Sequence, residues 1–329
     1  MEYRQLGETD IQLSAITFGA WAIGGWMWGG ADRKEAVKAI QAAYAEGITS
    51  IDTAPVYGQG LSEEIVAEAI KGIPRDKVQI LTKFGLRWDV EQGEYYFDTK
   101  DNSGTPLKMY KLATRESVFR ECEDCLRRLN TDYIDLFQIH WPDATTPIGE
   151  TMQALADLQA EGKIRAAGVC NYSLDQLIEA DDTIQLASDQ VPYSMVLRDI
   201  EKDIVPYAIK ERKSIIAYSP LQRGLLTGKI KPGHSFNEGD TREGNRFYTE
   251  ESIIKVNAFL DKLRPLAQAK NASLSQLVIR WTIEQPAITV ALVGARNTEQ
   301  AVQNARAIDV KLTPEELRFI NEQLKDSGF

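Results

Sequence analysis

The chain has 329 residues, 43% of them hydrophobic and 26% charged, a balance that supplies a sizeable buried core and excludes disordered and fibrous classes. Its 38 Lys and Arg against 48 Asp and Glu leave a net charge of −10, so nucleic acid and anionic membranes meet general repulsion and neither is expected as a partner. Three cysteines, Cys122, Cys125 and Cys170, form an odd and sparse set that suits a reducing cytoplasm rather than a disulfide framework.

From the N-terminus, residues 3–14 read as two short strands around a turn at 7–10, a hairpin placed to close the bottom of a barrel. The mixed charges of Glu2, Arg4, Glu8 and Asp10 do not make a secretory signal. Residues 15–31 are uncharged, but these 17 positions include five glycines, whereas a membrane span needs about 20 mainly apolar residues. They read as a buried strand, 16–19, followed by a glycine-rich loop. Further strands are expected at 50–52, 79–83, 133–140, 165–169, 188–190, 214–218 and 288–293. Helical periods lie between them at 34–46, 62–71, 114–129, 147–161, 173–180, 199–212 and 273–284, and a last helix is expected at 314–324. Ser62, Thr114 and Ser173 suit N-caps, Pro147 suits a first turn, and Gly47 and Gly162 follow their helices. Eight strands with helices between them predict a single α/β domain over 1–329, a (β/α)8 TIM barrel whose chemistry sits where the strands end, with a doubly wound sheet as the alternative. The connections 86–113 and 222–250 exceed ordinary loop lengths and are expected to work as lids.

No G-x-G-x-x-G follows the first strand and no G-x-x-x-x-G-K-[ST] occurs, which disfavours Rossmann and P-loop readings. Two histidines, His140 and His234, and a Cys122-x-x-Cys125 pair inside a helix give no metal-ligand pattern. In a barrel, Asp52, Tyr57, Lys83 and His140 all fall just after strand ends. Each alone has an ordinary structural reading. Together they fit a proton-transfer site, because a tyrosine with a pKa of about 10 becomes a useful acid when a cation favours its phenolate. Lys83 supplies that cation, Asp52 holds the ammonium, and His140 orients a carbonyl or joins the relay.

The segments Ile51-Asp52-Thr53-Ala54-Pro55-Val56-Tyr57-Gly58, Leu81-Thr82-Lys83, Asp135-Leu136-Phe137-Gln138-Ile139-His140-Trp141-Pro142, Gly168-Val169-Cys170-Asn171, Gln190 and Ala217-Tyr218-Ser219-Pro220-Leu221 resemble, in order, the signatures of the aldo-keto reductases. The resemblance runs from Tyr3 to about Leu317. It implies a barrel that binds NADP(H) and reduces aldehydes or ketones, with Asp52, Tyr57, Lys83 and His140 as its tetrad and Tyr57 as the general acid. It further implies that Tyr218 stacks on the nicotinamide, that Asn171 and Gln190 hold the carboxamide, and that Ala20 and Trp21 border the same ring.

For the anionic end of the cofactor, Ser219, Leu221, Arg223 and Gly224 follow the seventh strand, and Gly294, Arg296 and Gln300 follow the eighth, where barrels commonly cradle phosphate. Asn297 with Gln300 resembles a capping box, so a helix N-terminus would face the anion. The resemblance places the adenosine 2′-phosphate and adenine along 294–304, including Gln303 and Asn304. Arg296, Lys229 and Arg242 are the bases that would favour NADP. Cys170 stands where many relatives have Ser, and Gln303 where Glu is usual. Trp21, Trp26, Trp28, Trp88 and Trp141, with Tyr95, Tyr96 and Phe97, are expected to wall a site for a small-molecule carbonyl substrate. The chain is read as a monomer.

Two other functions compete. Potassium-channel beta subunits share this fold and bind NADP in a regulatory role, although His140 departs from the Asn they resemble having there. A Schiff-base enzyme would use Lys83 as nucleophile.

Overall fold

The computed structural model describes residues 1–236 and 240–329; residues 237–239, within one of the two long connections, lie outside the described residues. The hairpin β1 (Tyr3–Gln5) and β2 (Gln12–Ser14) precedes a repeating unit: β3 (Ile16–Gly19), α1 (Arg33–Ala45), β4 (Ser50–Asp52), α2 (Leu61–Ala69), β5 (Gln79–Phe84). An excursion of three short strands follows, β6 (Leu86–Arg87), β7 (Glu94–Lys100) and β8 (Pro106–Lys111). The repeat resumes with α3 (Arg115–Leu129), β9 (Ile134–Ile139), α4 (Ile148–Ala160), β10 (Ile164–Cys170), α5 (Leu174–Asp181), β11 (Ser188–Pro192), α6 (Ile204–Lys210) and β12 (Ser214–Tyr218). It ends with α7 (Glu250–Ala269), α8 (Leu274–Ile283), β13 (Ile288–Gly294), α9 (Thr298–Ala305) and α10 (Pro314–Asp326).

Strands β3, β4, β5, β9, β10, β11, β12 and β13 pair in parallel, and β13 returns to β3, so the sheet closes into the eight-stranded (β/α)8 barrel. The alternation of side chains along a strand makes two apolar layers. One lies between sheet and helices and holds residues such as Ile80, Phe137, Val169 and Ile215. The other fills the barrel: Leu81, Leu136, Ala166, Ile216 and Val290 point inward and meet Leu6, Ile11 and Leu13 of the N-terminal hairpin. Gly7 is pinned there by its N–H to Ser214 Oγ (2.8 Å), so the hairpin closes the bottom as expected.

Two residues further along the same inward rows, Leu81 gives way to Lys83, Leu136 to Gln138, and Ser188 to Gln190. The barrel is thus a hydrophobic plug capped by a polar layer at its C-terminal end, and the strand period alone dictates that change.

Side chains fix the helix starts: Asp32, Thr114, Ser173, Ser273, Asn297 and Thr313 each accept a backbone N–H of the first turn, and at Ser173, Ser273 and Thr313 the capping box is complete. The expected helix at 199–212 is in fact a short 3-10 turn, Asp199–Lys202, followed by α6, with the break at Asp203 (φ −139°). Among the described residues no helix is long and apolar enough to cross a membrane.

Candidate active site

Asp52 ends β4, Tyr57 lies in the loop that follows, Lys83 sits near the end of β5, and His140 follows β9. Adjacent pairing of β4 with β5 and of β5 with β9 brings the four together. Lys83 is fully buried; its Nζ donates to Asp52 Oδ1 (2.6 Å) and to the Thr53 carbonyl (2.9 Å). The other carboxylate oxygen of Asp52 accepts from Gln190 Nε2 at 2.8 Å. The ammonium lies 5.0 Å from the centre of the Tyr57 ring, and that ring meets the His140 imidazole edge-on with centroids 5.7 Å apart. The His140 N–H donates to the Phe84 carbonyl, so the strand that carries Lys83 also positions His140.

Burial works against a charged Lys83, yet Asp52 outweighs it and holds the ammonium above its usual range. Burial pushes the Tyr57 phenol up to about 12, with Lys83 pulling the other way and Asp52 adding to the rise. The sequence expectation of a net drop is therefore corrected. The charge of Lys83 is compensated by a carboxylate at 2.6 Å, so at the phenol the pair acts more as a dipole than as a free cation. His140 is held well below its usual range, first by burial and then by the charge of Lys83, so its imidazole is neutral. An acid that keeps its proton and a neutral imidazole beside it can donate to a carbonyl oxygen that gathers negative charge. The same electrostatics oppose the Schiff-base reading, since a nucleophilic amine must be unprotonated.

Around Tyr57 the aromatic wall is in place. Trp21 lies over the Tyr57 ring (6.1 Å, 28°), and Trp26, Trp88, Tyr96, Phe97 and Trp141 belong to the same cluster. Tyr95 is an exception: it turns outward, 52% exposed, against Tyr110. Trp28 packs on Trp21 at 5.3 Å, and the indole N–H groups of both are buried with no partner among the described residues.

Next to the tetrad, Asn171 follows β10 and Tyr218 closes β12, and Tyr218 Oη donates to Asn171 Oδ1 (2.9 Å) while Asn171 Nδ2 donates to the His140 carbonyl (3.0 Å). Gln190 has a role the sequence reading did not assign, since its amide is spent on Asp52. Ala20 is buried, and its N–H donates to the Asp52 carbonyl. Left-handed backbone marks this rim: Asn171 (φ +60°), Ser219 (φ +56°), Gln222 (φ +45°) and Arg223 (φ +48°). Such conformations cost about 1 to 3 kcal/mol each and persist where the surroundings impose them, often at ligand sites.

Further out, three arginines converge. Arg223 covers the Trp21 ring (5.1 Å) and donates to Thr241, while Arg242 and Arg296 approach the Trp28 ring at 5.3 and 5.4 Å. Arg242 is spoken for by Asp240, on which it rests with two nitrogens (2.9 and 2.6 Å). The Arg296 guanidinium has no carboxylate within ion-pair distance among the described residues, donates to the Trp28 carbonyl (2.6 Å), and has its pKa lowered by burial and by Arg242. This exposed guanidinium has no counter-anion among the described residues, and the start of α9 lies beside it: Asn297 caps the helix, and Gln300 turns back to accept the Arg296 backbone N–H. The residues present therefore fit a phosphorylated cofactor. Gly224 and Leu221 shape the neighbouring turn, and Asn304 ties α9 to the Gly294 carbonyl. Lys229 stands apart on an exposed turn, and Gln303 is turned to Glu299 on its own helix, so neither joins the arginines.

A family model described as the aldo/keto reductase family matches residues 15–325. The chain is 38% identical to aldo-keto reductase YhdN of Bacillus subtilis over 99% of its length and 95% of that protein's. It is 35% identical to the NADH-specific methylglyoxal reductase of Escherichia coli, with 96% of each chain covered. Among solved structures, a glycerol dehydrogenase of Gluconobacter oxydans is similar with a TM-score of 0.89 at 39% identity, covering 99% of this chain and 96% of that one.

Proposed function

The chain belongs to the aldo/keto reductase family, and from that premise we propose that it reduces an aldehyde or ketone to an alcohol with NADPH, Tyr57 being the proton donor. The observation that carries this reading is the contact set at the barrel's C-terminal end, where a protonated phenol, a neutral imidazole and a buried Lys83–Asp52 pair meet beneath an aromatic wall. When bound, the nicotinamide supplies the hydride. Tyr57 donates its proton to the carbonyl oxygen, and the Lys83 ammonium stabilises the phenolate left behind. Asp52, held by Gln190, keeps that ammonium in place. His140 orients the carbonyl, and the aromatic wall excludes water.

The mixing test is direct: absorbance of the reduced nicotinamide should fall when a reactive aromatic aldehyde is added to protein and NADPH. Binding of the nucleotide without its oxidation by any carbonyl would overturn the reading.

Preference for NADPH rests on Arg296, because one similar protein is NADH-specific. Losing one charge-assisted contact is worth about 1.5 to 3 kcal/mol, so Arg296→Ala should raise the NADPH dissociation constant roughly tenfold to a hundredfold and leave NADH nearly unchanged. Equal losses, read by fluorescence titration, would place the 2′-phosphate elsewhere.

The phenol's pKa also sets a pH dependence. Reduction needs the protonated form, present below about 12, and should show no loss attributable to Tyr57 between neutrality and mildly alkaline pH. Alcohol oxidation needs the phenolate, so its rate should climb with pH by up to about tenfold per unit over the same range. A flat oxidative profile would mean that another group takes the proton.

A further inference from the structure

The excursion between β5 and α3 forms a three-stranded antiparallel sheet in the order β6, β8, β7, standing on the rim beside Tyr57. Its inner face is apolar. Met109 is fully buried, Phe97 stacks on Trp26 (6.4 Å, 16°), and Tyr96 meets Trp141 at 5.8 Å. Its tip crosses to the loop after β3: Asn102 Nδ2 donates to the Gly24 carbonyl (2.8 Å), and Trp26 Nε1 donates to the Lys100 carbonyl (3.1 Å). Those anchors lie against the catalytic tyrosine. A Cβ on Gly24 would come within 2.5 Å of the Tyr57 carbonyl oxygen, and a Cβ on Gly58 would sit 3.2 Å from Asn102 Nδ2. The tip is stiff, because Asp101 Oδ1 accepts from the backbone of Ser103 and Thr105 and from the Ser103 hydroxyl. Its outer face is open to solvent, with Tyr95 52% exposed, and a cleft of about 1340 Å³ runs between the hairpin and the loop after β3, lined by Asp98, Asn102 and Lys108 on one side and by Gly25, Trp26 and Gly30 on the other.

A wall packed on one side, facing open space on the other and fastened at its tip by two neutral hydrogen bonds can yield without disturbing the barrel. We propose that the β7–β8 hairpin is the element that limits substrate size, that Asn102 and the Trp26 indole form its latch, and that the preferred substrates are compact carbonyls that fit under the closed wall. This rests on the reductase reading given above. Asn102 and Trp26 act by positioning the hairpin and take no part in the chemistry.

The test compares wild type with Asn102→Ala and Trp26→Phe, the second of which keeps an aromatic ring against Phe97 while removing the indole N–H together with part of the ring. With methylglyoxal as the compact probe and naphthaldehyde as the bulky one, each variant should shift the ratio of kcat/KM values toward naphthaldehyde by about tenfold. Hydrogen exchange across residues 94–111 should quicken in both variants while the barrel strands stay protected. An unchanged ratio in both variants overturns the size limit, and unchanged exchange overturns the latch. Should wild type oxidise NADPH with neither carbonyl, the reductase reading fails by itself. The wall is then judged by naphthaldehyde quenching of tryptophan fluorescence, which must strengthen in both variants if the hairpin excludes it.

Discussion

The variant Tyr57→Phe should bind NADPH as the parent does and reduce carbonyls roughly a thousandfold more slowly, within the span that positioned proton donors contribute. The substitution removes one oxygen from a ring already fixed by Trp21 on one side and His140 on another, so the shape of the site survives. Burial of the ring is kept, and stability should change by less than about 1 kcal/mol. What disappears is the protonated phenol beside the buried ammonium: His140 is a neutral imidazole, and Lys83 is committed to Asp52 and Thr53. Single-turnover oxidation of bound NADPH reads the step directly. A variant with normal turnover would remove Tyr57 from the proposed chemistry, and one with weakened NADPH affinity alone would make it a binding residue.

Sequence periodicity located the barrel closely, and each barrel strand lies within two residues of the run that predicted it. These strands are buried on both faces, so they read as short apolar runs between helical stretches and turn residues. The tetrad was legible for the same reason: position at a strand end decides function in a barrel, and Asp52, Lys83 and His140 sit at such ends. The excursion after β5 was legible only as a long connection. Its aromatic runs, 94–100 and 106–111, flank Asp101-Asn102-Ser103-Gly104, which is a turn signal between strand-like segments, but one face of the sheet meets solvent and its charges mask the pattern. Helix α7 is absent from the expected elements; Pro265 lies inside it and masks its period, although Ile253, Val256, Phe259, Leu260 and Leu263 carry a helical spacing that buries one face. No sequence pattern reveals the bond from Gln190 to Asp52, the latch at Asn102 or that Arg296 has no carboxylate partner among the described residues. Each depends on which strand ends and loops meet across the rim, and on burial, whose effect on Tyr57 outweighs the cation that the sequence pointed to.

The buried pair should separate chemistry from stability. In Lys83→Met, Asp52 keeps its place in the barrel with only Gln190 as a described hydrogen-bond donor, and a buried carboxylate stripped of its partner costs about 3 to 5 kcal/mol. That is a large part of the 5 to 15 kcal/mol that typically separates folded from unfolded domains, so the urea midpoint should fall sharply and turnover with it. Adding Asp52→Asn removes the stranded charge. The double variant should regain most of the lost stability, because replacing both members of a buried ion pair is often close to neutral. Its activity should stay near that of Lys83→Met, since no ammonium remains to stabilise the phenolate of Tyr57. Urea unfolding followed by NADPH turnover on wild type, Lys83→Met, Asp52→Asn and the double variant completes the cycle. Equal instability of the single and double variants would mean that packing of the lysine stem, rather than its charge, holds the barrel end. Recovered turnover in the double variant would mean that Tyr57 donates its proton without help, and the electrostatic role given to Lys83 would fall.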